Sequence, residues 1–298
     1  MKIVADANFG MAGVALNKIL EFLPVEIVPL NLKPDGSFPK GRPDPMIPER
    51  RKEVEELIKK EKPDLGVAWD GDADRIFIFD ENGEYVDGYF LTAILAESFL
   101  AKKPKSVIIS DPRLVWAVLD IVKRNKGKLL LNKPGHAFFK DRMRKEKAFF
   151  AGENSGHYYF QDNFYCDNGM IPLLIILEKL SQEGVKMSEL VKPYREKYFI
   201  SGEINTSVND PDEVLKNAEK KYSDGPSFAS ASAKATADRK ASEGKGKIDH
   251  IDGVSVEFKD WRFNLRKSNT EPLIRLNVEA KSQKLVEEKV KEILGIIK

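Results

Sequence analysis

Asp70, Asp72 and Asp74 alternate with small residues in the string Asp70-Gly71-Asp72-Ala73-Asp74-Arg75, directly after an apolar run. Carboxylates at i, i+2 and i+4 repel one another, and a hard divalent cation relieves that repulsion. Mg2+ takes oxygen ligands and commonly completes its shell from a phosphate. A solvated acidic turn is the competing reading. A calcium EF-hand loop also begins this way, with Glu81 at its twelfth position, but its sixth position holds Arg75 instead of Gly and IFIF follows as a strand. A second string, Arg266-Lys267-Ser268-Asn269-Thr270-Glu271-Pro272, falls between two predicted strands. Arg grips a phosphate bidentately, and Ser, Asn, Thr and exposed backbone N–H groups fill the remaining oxygen directions, which makes an anion cradle or, taken alone, a polar turn. In the third string, Gly152-Glu153-Asn154-Ser155-Gly156-His157, Glu153 and Ser155 offer an acceptor and a donor suited to vicinal sugar hydroxyls. Gly135-His136 opens a predicted helix, where an anion is favoured, although a lone His is more often structural.

Composition limits what these strings serve. The 298 residues are 42% hydrophobic and 32% charged, the balance of a soluble globular chain. Forty-nine Lys and Arg against 47 Asp and Glu leave a net charge of +2, too even for a nucleic-acid footprint. A single cysteine, Cys166, and three histidines exclude a disulfide framework and a thiolate zinc site. No run approaches the roughly 18 apolar residues of a spanning helix. Neither nucleic acid nor membrane is an expected partner, and a cytoplasmic protein is expected.

The elements that must position the strings follow from periodicity. Residues 2–6 read as a buried strand, Asn8 to Gly13 as a turn, 14–22 as a helix, 25–30 as a strand, about 49–60 as a charged helix with Pro48 in its first turn, and 65–70 as the strand feeding the Asp loop. IFIFD, the ENG turn and YVDG predict a hairpin with a type I′ turn. Residues 104–195 repeat the βα theme, with strands SVIIS, KLLLN and AFFAGE and helices around 113–123 and 136–144. From 196 onward the pattern becomes YFISGEINTSV as a strand, a helix over 212–221, three further strands and a final amphipathic helix. The fold class is therefore α/β, two βα-type domains (1–101 and 102–195) followed by a smaller α+β domain (196–298) with an antiparallel sheet. Residues 226–246, rich in Ala, Ser and Lys, read as a low-complexity insertion with little bearing on chemistry.

Cation, phosphate, sugar-hydroxyl and proton-carrier signals spread over three domains point to a phosphosugar site in an interdomain cleft. The chain resembles the α-D-phosphohexomutase family in DGDADR, in GENSGHYYF, in RKSNTEP, in PGHAFFKDRMR and in the opening turn with Asn8, Gly10 and Gly13. The resemblance implies interconversion of hexose 1-phosphate and hexose 6-phosphate, glucose or mannose, through a hexose 1,6-bisphosphate and an active-site phosphoserine. It implies that Asp70, Asp72 and Asp74 hold Mg2+ and that Arg75 steadies the transferring phosphoryl group. Glu153 and Ser155 would read sugar hydroxyls, and Arg266, Ser268, Asn269 and Thr270 would hold the non-reacting phosphate. His136 is the candidate proton carrier, with Lys133 as a helper.

One part of the family pattern is missing. Members carry the serine in a Thr-Ala-Ser-His-Asn-Pro type segment of a preceding α/β domain, and no such string occurs among these residues. The expectation is a chain inactive alone, whose partner is a separate chain bearing the N-terminal phosphoserine domain. The alternatives are a noncatalytic sugar-phosphate-binding protein and a gene fragment.

Overall fold

The structure, a computed structural model, describes residues 1–223, 246–268 and 271–297. The low-complexity residues 226–245 lie outside them, as do Asn269 and Thr270. The chain divides into two compact units, residues 1–111 with 115–195, and residues 112–114 with 196–298.

In the first unit the elements run β1 (Lys2–Asp6), α1 (Ala12–Leu20), β2 (Glu26–Leu30), α2 (Pro48–Glu61), β3 (Leu65–Trp69), β4 (Ile76–Phe79), β5 (Tyr85–Val86), α3 (Gly88–Lys102), β6 (Val107–Ser110), α4 (Trp116–Arg124), β7 (Lys128–Leu131), α5 (His136–Glu146), β8 (Phe150–Gly152), β9 (Tyr158–Phe160), β10 (Cys166–Asp167), α6 (Met170–Glu183) and α7 (Met187–Arg195). The first sheet has the order β2-β1-β3-β4-β5, with β1 parallel to β2 and β3 and the β3-β4-β5 edge antiparallel. The second, β10-β9-β8-β6-β7, repeats the scheme, with β6 parallel to β7 and β8 and an antiparallel β8-β9-β10 edge. Each sheet thus has a topological switch point, between β1 and β3 in one and between β6 and β8 in the other, where adjacent connections leave in opposite directions and open a crevice at the carboxyl ends.

The central strands are apolar where helices cover them: Val4, Ala68, Phe77 and Phe79 pack with Val54 and Ile58 of α2, and Ile109 and Ala151 with Phe139 and Met143 of α5. Pro48 opens α2, as its fixed φ favours, and Lys62 closes it in the left-handed region. Asp87 caps α3, its side chain accepting from Tyr89 N at 2.9 Å. Sequence periodicity did not reveal α3. Ten of its residues are buried, so polar and apolar positions do not alternate at 3.6 and the usual signal is erased.

The predicted hairpin forms, but its turn is not type I′. Gly83 has φ +85° while Glu81 and Asn82 stay in the ordinary region, and Asp80 Oδ1 accepts from Asn82 N and Glu84 N at 2.9 and 3.0 Å. Those two side-chain bonds favour the alternative in which only the glycine is left-handed.

The second unit holds β11 (Phe199–Ile200), β12 (Ile204–Ser207), α8 (Pro211–Ser223), β13 (Lys247–Asp249), β14 (Val254–Glu257), β15 (Trp261–Lys267), β16 (Leu273–Ala280) and α9 (Gln283–Ile297). Its sheet is antiparallel, β11-β16-β15-β14-β13, with β12 also on β16. The single strand predicted over 198–208 is two short ones, because Gly202 turns left-handed at φ +68° and breaks the ladder. Val256, Phe263, Leu276 and Val278 form the core against α8 and α9. No helix among the described residues is long and apolar enough to cross a membrane.

Candidate functional site

The Asp loop leaves the carboxyl end of β3, beside the turn that follows β1. Asn8 and Phe9 take left-handed φ values of 49° and 62°. That geometry sends Asn8 Nδ2 to Trp69 O at 2.9 Å and Met11 N to Gly71 O at 2.9 Å, fastening the first turn onto the loop. Ala73, at φ +65°, turns the loop so that Arg75 bonds back to Asp70: Arg75 N reaches Oδ1 at 3.2 Å and Nε reaches Oδ2 at 2.6 Å.

Asp70 is buried, Asp74 half-buried and Asp72 exposed, and one oxygen from each lies within 4.8 Å of the others. Burial pushes the Asp70 carboxyl up to about 6 in spite of the Arg75 guanidinium, and the Asp74 charge adds to the rise. An oxygen-only donor set whose charges are held together against their own repulsion fits Mg2+.

The third string is sewn to this loop. Ile76 N bonds Gly156 O at 3.2 Å, Arg75 and His157 form a β-bridge, and Trp69 Nε1 bonds Gly169 O at 3.0 Å. His157 Nε2 stands 3.5 Å from Asp74 Oδ1, and its Nδ1 is 3.2 Å from Ser155 Oγ. Burial opposes the imidazolium of His157, but the Asp74 hydrogen bond and the Glu153 and Asp74 charges outweigh it and lift its pKa above the ordinary histidine value. Glu153, 3% exposed, accepts from Tyr159 OH at 2.5 Å and lies 3.5 Å from Ser155 Oγ. Asp111, at the other side of the β6/β8 switch point, accepts from Asn154 N at 2.7 Å and fixes the loop.

His136 opens α5 with Nε2 at 3.8 Å from Asp74 Oδ2 and Nδ1 at 2.7 Å from Asp167 Oδ2, while Lys140 sits 3.1 Å from Asp167 Oδ1. The rings of His136 and His157 are 4.6 Å apart, edge to face. Of the residues singled out from sequence, Asp70, Asp72, Asp74, Arg75, His136, Glu153 and Ser155 therefore belong to one cluster. Lys133 is exposed, its ammonium 5.1 Å from the Phe138 ring centre. Sequence reasoning passed over His157, although it ends one of the quoted strings, and over Asp44 and Asp167, which no local pattern marks.

In the second unit Arg266 does not stand alone. Its Nη2 is 2.9 Å from Glu203 Oε2, Arg275 Nη1 is 2.8 Å from Glu203 Oε1, and Arg275 Nη2 bonds Ser268 Oγ at 3.3 Å. Arg113 Nη1 is 3.7 Å from Glu203. Burial raises the Glu203 pKa, but Arg266, Arg113 and Arg275 together hold it below the usual carboxylate value. The Nε donors of Arg266 and Arg275 are buried without a hydrogen-bond partner among the described residues. Arg266 Nε faces Asp252 Oδ2 at 3.7 Å, and three guanidinium groups around the single Glu203 carboxylate leave a local positive charge that suits an anion. Glu203 and Arg275 were legible only as ordinary strand or loop charges in the sequence.

The chain belongs to the phosphoglucomutase/phosphomannomutase family. Models of that family's alpha/beta/alpha domain II, alpha/beta/alpha domain III and C-terminal domain match residues 1–83, 87–198 and 203–296. A phosphomannomutase of Vibrio cholerae is 42% identical over the whole of this chain, which spans 62% of that protein's length. A phosphoglucomutase/phosphomannomutase family protein from Burkholderia thailandensis superposes with a TM-score of 0.80 at 28% identity, over 99% of this chain and 60% of that one. An Aspergillus fumigatus N-acetylphosphoglucosamine mutase, solved with GlcNAc-6P and magnesium, shares the fold at 13% identity, with a TM-score of 0.63 over 100% of this chain and 66% of that one.

Proposed function

We propose that this chain supplies the cation, sugar and phosphate sites of a Mg2+-dependent phosphohexomutase that interconverts glucose or mannose 1-phosphate and 6-phosphate through the hexose 1,6-bisphosphate, in the cytoplasm. It does so with three domains, 1–101, 102–195 and 196–298. The observation that carries this reading is the convergence on Asp74 of the cation loop, the GENSGH loop and the start of α5: one carboxylate lies 3.5 Å from His157 and 3.8 Å from His136.

Asp70, Asp72 and Asp74 hold Mg2+, which neutralises phosphoryl charge when bound. Arg75, half-buried beside the loop, steadies the phosphoryl group in transfer, a reaction that depends on positioning and charge more than on covalent help. Glu153 is fixed by Tyr159 and turns its remaining oxygen toward Ser155, a pair able to accept from and donate to adjacent hydroxyls. His136 moves the proton of the reacting hydroxyl, held by Asp167 through Nδ1, and the lifted basicity of His157 suits it to the same work. Lys133 assists from the exposed side. Arg266, Ser268, Asn269 and Thr270 hold the phosphate that is not reacting, with Arg275 beside Ser268.

The phosphoryl carrier is a serine on a separate polypeptide region of the kind the family resemblance implies, and the chain does not turn over without it. Exposed Met11 just before α1, Val14 within it and Phe22 just after it support an apolar docking face in this unit. Calorimetric titration with glucose 1-phosphate and mannose 1-phosphate, with and without Mg2+, tests the binding part of this reading: saturable binding is expected, and no binding of either sugar phosphate would sink it.

A further inference from the structure

Asp44 lies in Pro43-Asp44-Pro45, in the loop between β2 and α2, with no sequence relation to the cation loop. It is nonetheless 7% exposed, and its carboxylate is committed before any ligand arrives. Oδ1 accepts from Met46 N at 3.2 Å and from Arg75 Nη1 at 3.1 Å, and Oδ2 lies 3.3 Å from Arg42 Nη2. Ile47 N bonds Asp44 O at 3.0 Å and Asp44 N bonds Arg42 O at 2.9 Å, so the residue is clamped from both sides by its own loop.

The Arg75 guanidinium is shared. Its Nε holds Asp70 Oδ2 at 2.6 Å and its Nη1 holds Asp44. This sharing has a consequence for the loop, on the reading of residues 70–74 as a cation site. A divalent cation needs an oxygen of Asp70, yet Oδ1 already accepts from Arg75 N and Oδ2 from Arg75 Nε. Each oxygen keeps a second lone pair for the cation, but a cation and a guanidinium on one carboxylate repel, so the bond from Nε to Asp70 weakens when the cation binds. A half-buried guanidinium whose ion pair is weakened keeps its place only if a second carboxylate holds it. We infer that Asp44 is a positioning residue that takes over Arg75 when a cation engages Asp70, and thereby sets the affinity of the loop for the cation. Asp44 is placed for this: it already bonds the outer nitrogen and cannot follow the arginine toward Asp70.

The experiment is a double-mutant cycle on the purified chain with Mn2+ as the probe, read by the loss of the free-ion electron paramagnetic resonance signal. Asp44→Asn keeps the acceptor for Met46 N and removes the charge. It is expected to weaken Mn2+ binding roughly tenfold, the weight of one charge-assisted hydrogen bond. Arg75→Gln removes the competitor for Asp70, and in that background Asp44→Asn should change the affinity by less than about threefold, the remainder left by a through-space charge. An equal loss in both backgrounds would make Asp44 a plain charge and overturn the inference, as would no loss in either. If Asp44→Asn does not fold, Asp44→Ser keeps an acceptor for the turn and carries the same expectations. Asp72→Asn separates the two levels: a parent chain that does not bind Mn2+, or an Asp72→Asn chain that binds it as the parent does, overturns the cation-loop reading and this inference together.

Discussion

Replacing Gly10 with Ala places one methyl group where the opening turn meets the cation loop. The added carbon would stand 2.5 Å from Gly71 O, 2.8 Å from Gly71 Cα and 2.9 Å from Asp70 O. All three are backbone atoms, so no side chain can swing aside. Gly10 does not have a positive φ, so the penalty is steric and not conformational. Overpacking of this kind costs about 1–3 kcal/mol, and displacement of the loop weakens the bond from Met11 N to Gly71 O, worth about 0.5–1.5 kcal/mol. The expected loss is about 2–4 kcal/mol in the unit that contains the site. Because Asp70 moves with Gly71, Mn2+ affinity should fall as well. Urea denaturation followed by tryptophan fluorescence and Mn2+ titration read the two effects. Gly36→Ala, whose new carbon would meet nothing within 4 Å, is the control and should change neither. A Gly10→Ala chain with the parent's urea midpoint and the parent's Mn2+ affinity would refute the idea that the first turn is what seats the loop.

Three further outcomes are expected. Burial pushes Asp6 up to about 6 against the bonds it accepts from Asn8 N and Asn31, while an unfolded Asp titrates near its usual value. Its contribution to stability is therefore complete below about pH 4 and lost as the pH rises through 6, roughly 3 kcal/mol in all, and Asp6→Asn should abolish this loss; parallel pH curves for the two proteins would contradict it. His157, also raised, contributes stability below its unfolded pKa and loses it as the pH climbs through the folded value. An NMR titration should give a His157 midpoint above that of a free histidine, falling in Asp74→Asn, and a midpoint unmoved by that substitution counts against the pairing. Arg266→Ala should weaken glucose 1-phosphate binding roughly ten- to hundredfold, as the loss of one or more charge-assisted contacts requires, and unchanged affinity by calorimetry would remove Arg266 from the cradle.

The parts of this molecule that could be read from sequence are those in which chemistry-bearing residues are consecutive. DGDADR, GENSGH and the Arg266 loop each occupy one strand exit, so their strings announced both the chemistry and the place. The partners that orient them come from elsewhere in the chain: Asp44 reaches Arg75 across 31 residues, and Arg275 meets Arg266 through Glu203, 63 residues before it. Neither periodicity nor spacing encodes such pairs. Buried surroundings hid α3 in the same way, by removing the polar face that gives a helix its period. The Asp80 side chain, by bonding two backbone N–H groups of the following turn, overrode the Asn-Gly preference. The helix predicted around 113–123 begins only at Trp116, and residues 112–114 belong to the second unit, where Arg262 donates to Pro112 O and Arg113 O at 2.8 Å each.

On the function proposed above, these residues supply the cation, sugar and phosphate sites of a phosphohexomutase and a serine-bearing domain supplies the phosphoryl carrier. This division is tested most directly by following conversion of glucose 1-phosphate and mannose 1-phosphate to their 6-phosphates, with Mg2+ and a trace of hexose 1,6-bisphosphate, by the chain with and without a serine-bearing N-terminal domain. Turnover in the mixture and none with the chain alone is the predicted result. Turnover by the chain alone, or none in the mixture, would contradict it.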